Sequence, residues 1–386
     1  MFNSVPTWPT KILLAALLLG AAVLSGCIGP RGWPGTVGDS HSLYVGTMIG
    51  SVLALNPVTG AERWEFEPQS VQTGSIGSGN LTSIKNAFLS CSQGGAGSFR
   101  AGYFYGAPVV ANGMIYVAYF SGVVYAIDAA SGQQAWNYDL KSHIAGGLAV
   151  AGGTVLVGSS NGNISALDAG NGTLKWEFSS KDEIWGAPAV ADGVVYFGSL
   201  DHSLYALNAT DGKEKWEFRT EGGIGSTPLV VGGVVYVGSF DHKFYAIDGE
   251  TGAQKWVFEG SRDWFWCAAT YDDGTIYAAS LDNNVYALEA GNGTVAWPQP
   301  FKASNRVKSS PIIVSGLLVV ASENGNVYGL DPKTGKKEWE FDGIKAKVLS
   351  PLYSAEGIVY INSQDNKLHA LNGENGFEFW GLPLGS

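Results

Sequence analysis

In the body of this chain apolar residues fall in short extended runs bounded by turn residues, and over residues 184–218 no window of eleven or more shows helical spacing. Residues 184–218, IWGAPAVADGVVYFGSLDHSLYALNATDGKEKWEF, hold four such runs: Ala187–Val190, Val194–Gly198, Ser203–Leu207 and Glu214–Phe218. Val, Tyr, Phe and Leu dominate them, and Asp-Gly, Leu-Asp-His and Thr-Asp-Gly separate them, so each reads as a strand bounded by tight turns. The unit then repeats. Eight times an acidic or amide residue is followed four positions later by Gly and four later again by Trp, the Trp residues being Trp64, Trp136, Trp176, Trp216, Trp256, Trp297, Trp339 and Trp380. Successive Trp are separated by 72, 40, 40, 40, 41, 42 and 41 positions. Four strands at this period, eight times over, predict an all-β chain: an eight-bladed β-propeller of four-stranded antiparallel blades.

The recurrent residues have mechanical roles in such a blade. Asp168 or Asn208 can accept hydrogen bonds from backbone N–H groups two or three positions on, fixing the turn between the third and fourth strands. Gly172 or Gly212 supplies the positive φ of that turn, and the Trp packs between neighbouring blades. The first repeat is the weakest. Its inner strand is either supplied near Gly32–Val37 or absent, and closure is expected to join blade eight to blade one without an exposed sheet edge.

Composition narrows the function. The 386 residues carry a formal charge of −11 with no basic cluster in the sequence, which argues against nucleic acid as a partner. Lys11 precedes an apolar run, Ile12 to Leu24, too short to span a bilayer as a helix but suited to a secretory leader. Leu24-Ser25-Gly26-Cys27 resembles a bacterial lipobox, which implies that residues 1–26 are a lipoprotein signal peptide, Cys27 carries lipid, 27–32 are a tether and 33–386 form the propeller. The body is therefore expected to be exported and lipid-anchored on the extracytoplasmic face of a membrane, as a monomeric ring.

The repeat, standing as VVYVGSFDHKFYAIDGETGAQKWVF from Val234 to Phe258, resembles the pyrroloquinoline-quinone (PQQ)-type propeller repeat over nearly all of residues 33–382. Joined to a lipobox, it is similar to the BamB family of lipoproteins of the outer-membrane β-barrel assembly machinery. That resemblance implies an interaction scaffold with no catalytic residue, cofactor or metal, whose partners are cell-envelope proteins including a barrel assembly component. Quinoprotein dehydrogenases share the repeat and imply the alternative, PQQ with Ca²⁺, a catalytic Asp and often an adjacent Cys-Cys disulfide. The three cysteines here, Cys27, Cys91 and Cys267, include no adjacent pair. A ligand-binding sensor is the third reading.

Departures from the repeat are where function is sought. About 32 extra residues, roughly 70–102, interrupt the connection between blades one and two and contain Cys91. They read as a docking cap or as a tolerated insertion. The equivalent connection four blades on holds Trp264-Phe265-Trp266-Cys267. Alignment of the repeats places Trp266 with Trp185 and Tyr105 at the start of inner strands, and Lys308 in the next blade. The rim Tyr105, Trp185, Trp264, Phe265, Trp266 and Lys308 is thus expected to form an aromatic mouth, suited to a flat ligand or a peptide, or filling space beneath the insertion. Cys91 and Cys267 fall on that rim, as a disulfide or as two thiols. His202 and His242, and Asp201, Asp241 and Asp282, read as turn residues.

Overall fold

A computed structural model describes residues 34–39, 41–68 and 103–384, all within one compact unit. Cys27, Cys91, the leader and the stretch at 70–102 lie outside the described residues. Eight four-stranded antiparallel sheets follow one another, spanning 36–66, 109–139, 148–179, 189–219, 229–258, 270–302, 312–341 and 353–383, numbered here blades 1 to 8. In each, the four strands pair in simple sequence order. Neighbouring innermost strands approach one another around the ring, with blade 8 meeting blade 1. The chain folds as an eight-bladed β-propeller.

Within blade 4 the strands are Ala189–Ala191, Val194–Gly198, Ser203–Asn208 and Glu214–Arg219. The second is buried at every position and the third at all but its last, because blades cover both faces, hence near-continuous apolar sequence. The outermost strand lies at the perimeter and is exposed or half-buried except at Trp216. The expected first-repeat strand is present as Thr36–Gly38, paired to Leu43–Gly46. Blade 6 departs most. Its outermost strand shrinks to Phe301–Lys302, because Pro298 and Pro300 follow Trp297 and cannot donate to a ladder.

The Asp-Gly-Trp spacing proves to be a lock between blades. Trp176 Nε1 donates to the Ala209 carbonyl of the next blade at 3.0 Å, and all eight motif Trp make the equivalent bond, at 2.8–3.2 Å. Each Gly lies against the Trp of the preceding blade, not of its own motif. A Cβ on Gly212 would stand 2.5 Å from the Trp176 ring, and one on Gly172 would stand 2.6 Å from that of Trp136. Gly212 also has φ of +70°, so both sterics and backbone call for glycine there. In six blades a second-strand Tyr adds a bond to the neighbour; Tyr196, for example, donates to the same Gly249 carbonyl as Trp216.

The same devices close the ring. Trp380 Nε1 donates to the Val58 carbonyl at 3.1 Å and Tyr360 OH to that of Pro57 at 3.1 Å, while Ser350 Oγ reaches the Pro34 carbonyl at 2.7 Å. Among the described residues no strand is shared between blades 8 and 1; closure there rests on these bonds and on an apolar cluster that includes Leu43, Val45, Tyr360 and Leu384. The expectation of no exposed edge holds between blades only. The outermost strand of each sheet keeps one edge without a strand partner among the described residues.

Candidate functional site

Strand polarity puts the connection into each innermost strand on the same face as the hairpin between second and third strands. Three positions of each of blades 2 to 8 meet there: the residues just before and after a buried plug, and the residue that opens the hairpin. A repeated bond ties them, as in Leu200 N–H to the Glu183 carbonyl, Phe240 to Gly223, Leu281 to Trp264 and Glu323 to Arg306.

Blades 4 to 6 fill these positions with rings. Trp185 and Trp266 have centroids 5.9 Å apart, Phe240 stacks on Trp264 at 4.5 Å and on Trp266 at 5.7 Å, and Phe240 lies 6.3 Å from Trp185. All four are half-buried, so each keeps a solvent-facing part. Trp185 is oriented by its Nε1 donating to Glu183 Oε2 at 2.6 Å. Lys308 Nζ sits 5.8 Å from the Trp266 ring centre, within cation–π range.

Blades 7 and 8 are charged. Glu323 accepts Lys347 Nζ at 3.0 Å and Lys308 Nζ at 3.6 Å. Burial would raise the Glu323 carboxyl, but Lys308, Lys347 and Arg306 hold it below its ordinary value. Desolvation pushes Lys308 below the usual lysine value; Lys347 and Arg306 push the same way, and Glu323 only partly opposes them. Beside this pair opens a cleft of about 470 Å³ lined by Asn305, Arg306, Glu323, Asn324, Lys345, Ala346 and Lys347.

Of the rim residues expected from the sequence, Trp185, Trp264, Trp266 and Lys308 come together. Tyr105 does not join them; it is buried and packs on Phe120 at 5.1 Å, which in turn stacks on His143. Phe265 is core, 1 % exposed, packed near Phe244 and Tyr286. The reason is its column: Ile144, Ile184, Ile224 and Val307 hold the same plug position in other blades, all buried. A Cβ on Gly238 would collide with Phe265, as one on Gly198 would with Ile224. Sequence reasoning missed Phe240, Arg306, Glu323, Lys345 and Lys347. The hairpin-opening column, in which Phe240 and Glu323 replace Leu200 and Leu281, was the available signal.

Cys267 packs against a cluster containing Tyr277 and Val307, and burial pushes its thiol up to about 12. It bonds to no described cysteine, and pairing with Cys91 stays a proposal. His202 and His242 are turn residues with φ of +74° and +72°. Asp201 accepts from Ser203 N–H and from Tyr205 OH at 2.7 Å. Among the described residues no group of three or more His, Cys, Asp or Glu is placed to hold a metal ion.

A family model described as "Outer membrane protein assembly factor BamB" matches residues 50–184, 160–265 and 262–386. The chain belongs to this family. A BamB of Burkholderia pseudomallei is 32% identical over 112 residues, 27% of this chain and 29% of that protein. A quinohemoprotein alcohol dehydrogenase of Comamonas testosteroni is 27% identical over 96 residues, 22% of this chain and 14% of that one. The chain thus spans less than a third of the length of these curated relatives. The crystal structure of BamB from Moraxella catarrhalis superposes with a TM-score of 0.62 at 20% identity, over 72% of this chain and 84% of that one, a likeness of fold.

Proposed function

We propose that this chain is a non-catalytic propeller, lipid-anchored through Cys27 on the extracytoplasmic side, that serves outer-membrane protein assembly as a docking scaffold. The observation that carries the reading is the mouth. There, four half-exposed rings lie together beside a group of cations, giving a surface suited to holding a partner segment. Membership of the assembly-factor family supports the partner class.

The Comamonas relative favours a second reading, PQQ-dependent oxidation. The donor set does not fit the PQQ–Ca²⁺ pair which that resemblance implies. The mouth carboxylates Glu183 and Glu323 are engaged by Trp185 and by two lysines, and no described acidic cluster stands ready for a cation. We therefore derive no reaction step through a quinone. Crosslinking pull-down from native membranes, with an absorption spectrum of the same sample, separates the readings. A stoichiometric outer-membrane assembly component supports the scaffold; a quinone band with Ca²⁺-dependent dye reduction overturns it.

A further inference from the structure

We propose that the blade 7–8 sector of the mouth binds an extended acidic peptide segment of a partner protein, with the segment's adjacent aromatic side chain lying on the Trp266 arc. This rests on the scaffold reading and specifies the chemistry of what docks.

The first observation is a local reversal of charge. The chain carries −11 overall, yet Arg306, Lys345 and Lys347 line one cleft, with Lys308 beside it, against the single carboxylate of Glu323. That carboxylate is already shared by two lysines. Among the described residues the Arg306 guanidinium makes no ion pair, and Lys345 Nζ donates to the Asp342 carbonyl, at 2.5 Å, and to no carboxylate. Among the described residues, the cleft therefore holds more cations than its one carboxylate can pair, with Arg306 and Lys345 in no salt bridge, inside a negative body. Such a site draws an anionic segment that the rest of the surface repels. Burial of Lys308 with its cationic neighbours Arg306 and Lys347 points the same way, since an added carboxylate offsets their repulsion.

The second observation is continuity. Lys308 belongs to both halves, touching Glu323 on one side and facing the Trp266 ring at 5.8 Å on the other. From Trp266 the aromatic surface runs unbroken through Phe240 to Trp264 and Trp185. A ligand that is only anionic leaves the rings uncovered, and one that is only aromatic leaves the cations unpaired. An extended chain supplies both. At about 3.3 Å per residue, two residues span the step from cation to ring, and positions i and i+2 face the same side. The fitting pattern is an acidic residue with an aromatic one two positions away.

The test uses the full chain and a synthetic peptide, acetyl-Glu-Gly-Phe-Gly-Glu-Gly-Phe-Gly-amide. Versions with Gln or Lys in place of Glu serve as controls, and titration is by calorimetry at about 50 mM and about 500 mM salt. The Glu peptide is expected to bind at low salt, and the Gln and Lys peptides at least about tenfold more weakly. Arg306→Gln with Lys345→Gln should weaken the Glu peptide about tenfold, and Trp266→Leu several-fold, while Lys302→Gln on the blade 6 perimeter changes nothing. Shared urea midpoints establish that the variants are folded. Equal affinity for Glu and Gln peptides, full affinity in the double variant, or no binding by the wild-type chain overturns the proposal. The membrane crosslinking above is independent of these readouts, so the scaffold reading can stand if the peptide site fails.

Discussion

Gly212→Ala tests whether the repeated motif locks blades to each other or merely shapes its own turn. Two penalties are expected. An alanine at φ of +70° costs about 1–2 kcal/mol for the left-handed backbone. Its Cβ would also stand 2.5 Å from the Trp176 ring of blade 3, an overpacking worth about 1–3 kcal/mol. Only the second penalty depends on Trp176. Trp176→Ala alone should cost about 3–5 kcal/mol, but adding Gly212→Ala to it should then cost only the backbone part. The double-mutant cycle therefore predicts a coupling of about 1–3 kcal/mol between residues 36 positions apart in different blades. The parallel cycle with Trp216, four positions from Gly212 in its own motif, should be additive within about 0.5 kcal/mol. Urea unfolding followed by circular dichroism measures both, provided the slope with denaturant is unchanged among variants. Coupling to Trp216 as large as that to Trp176, or none to Trp176, refutes the lock.

Trp216→Phe should be milder than Trp176→Phe by about 0.5–1 kcal/mol: the Gly249 carbonyl keeps its bond from Tyr196, whereas that of Ala209 loses its one side-chain donor among the described residues. Urea midpoints of the two variants check the order. Phe265→Ala should lower stability by about 3–5 kcal/mol as a core truncation, while Trp266→Ala costs under about 2 kcal/mol because that ring is half-exposed. The same urea titration compares them, and an equal loss contradicts the plug assignment. Glu323 has a folded-state value below its ordinary 4.5, so its stabilisation is complete above that pH and lost as pH falls through the folded value. The gap in urea midpoint between wild type and Glu323→Gln should accordingly be constant at neutral pH and close below 4.5. Native Cys267, with its thiol pushed up to about 12, should alkylate slowly at pH 8 under reductant and rapidly once unfolded. Quantitative peptide mapping reads this directly.

Turn chemistry and blade packing were legible because Gly172, Gly212 and their Trp partners recur at fixed offsets. The pairing between them was not. Gly212 lies four positions from Trp216, yet the ring it meets is that of Trp176, and only the closed ring shows which neighbour each motif touches. In sequence Phe265 groups with Trp264 and Trp266 because it sits between them. Its column, with Ile184 and Ile224, marks it as core. The short outer strand of blade 6 could have been read from Pro298 and Pro300. The basic cleft could not, since Arg306 and Lys345 lie on separate loops that carry no cluster along the chain and meet only through the packing of blades 7 and 8.

The mouth is the proposed docking surface. A photoreactive residue at position 185, with position 174 on the exposed outer strand of blade 3 as control, tests it in native membranes. A docking mouth should give a specific crosslink from 185 to an outer-membrane assembly component and none from 174. Crosslinks from 174 alone, or from neither position while the chain purifies with a quinone absorption band, would contradict it.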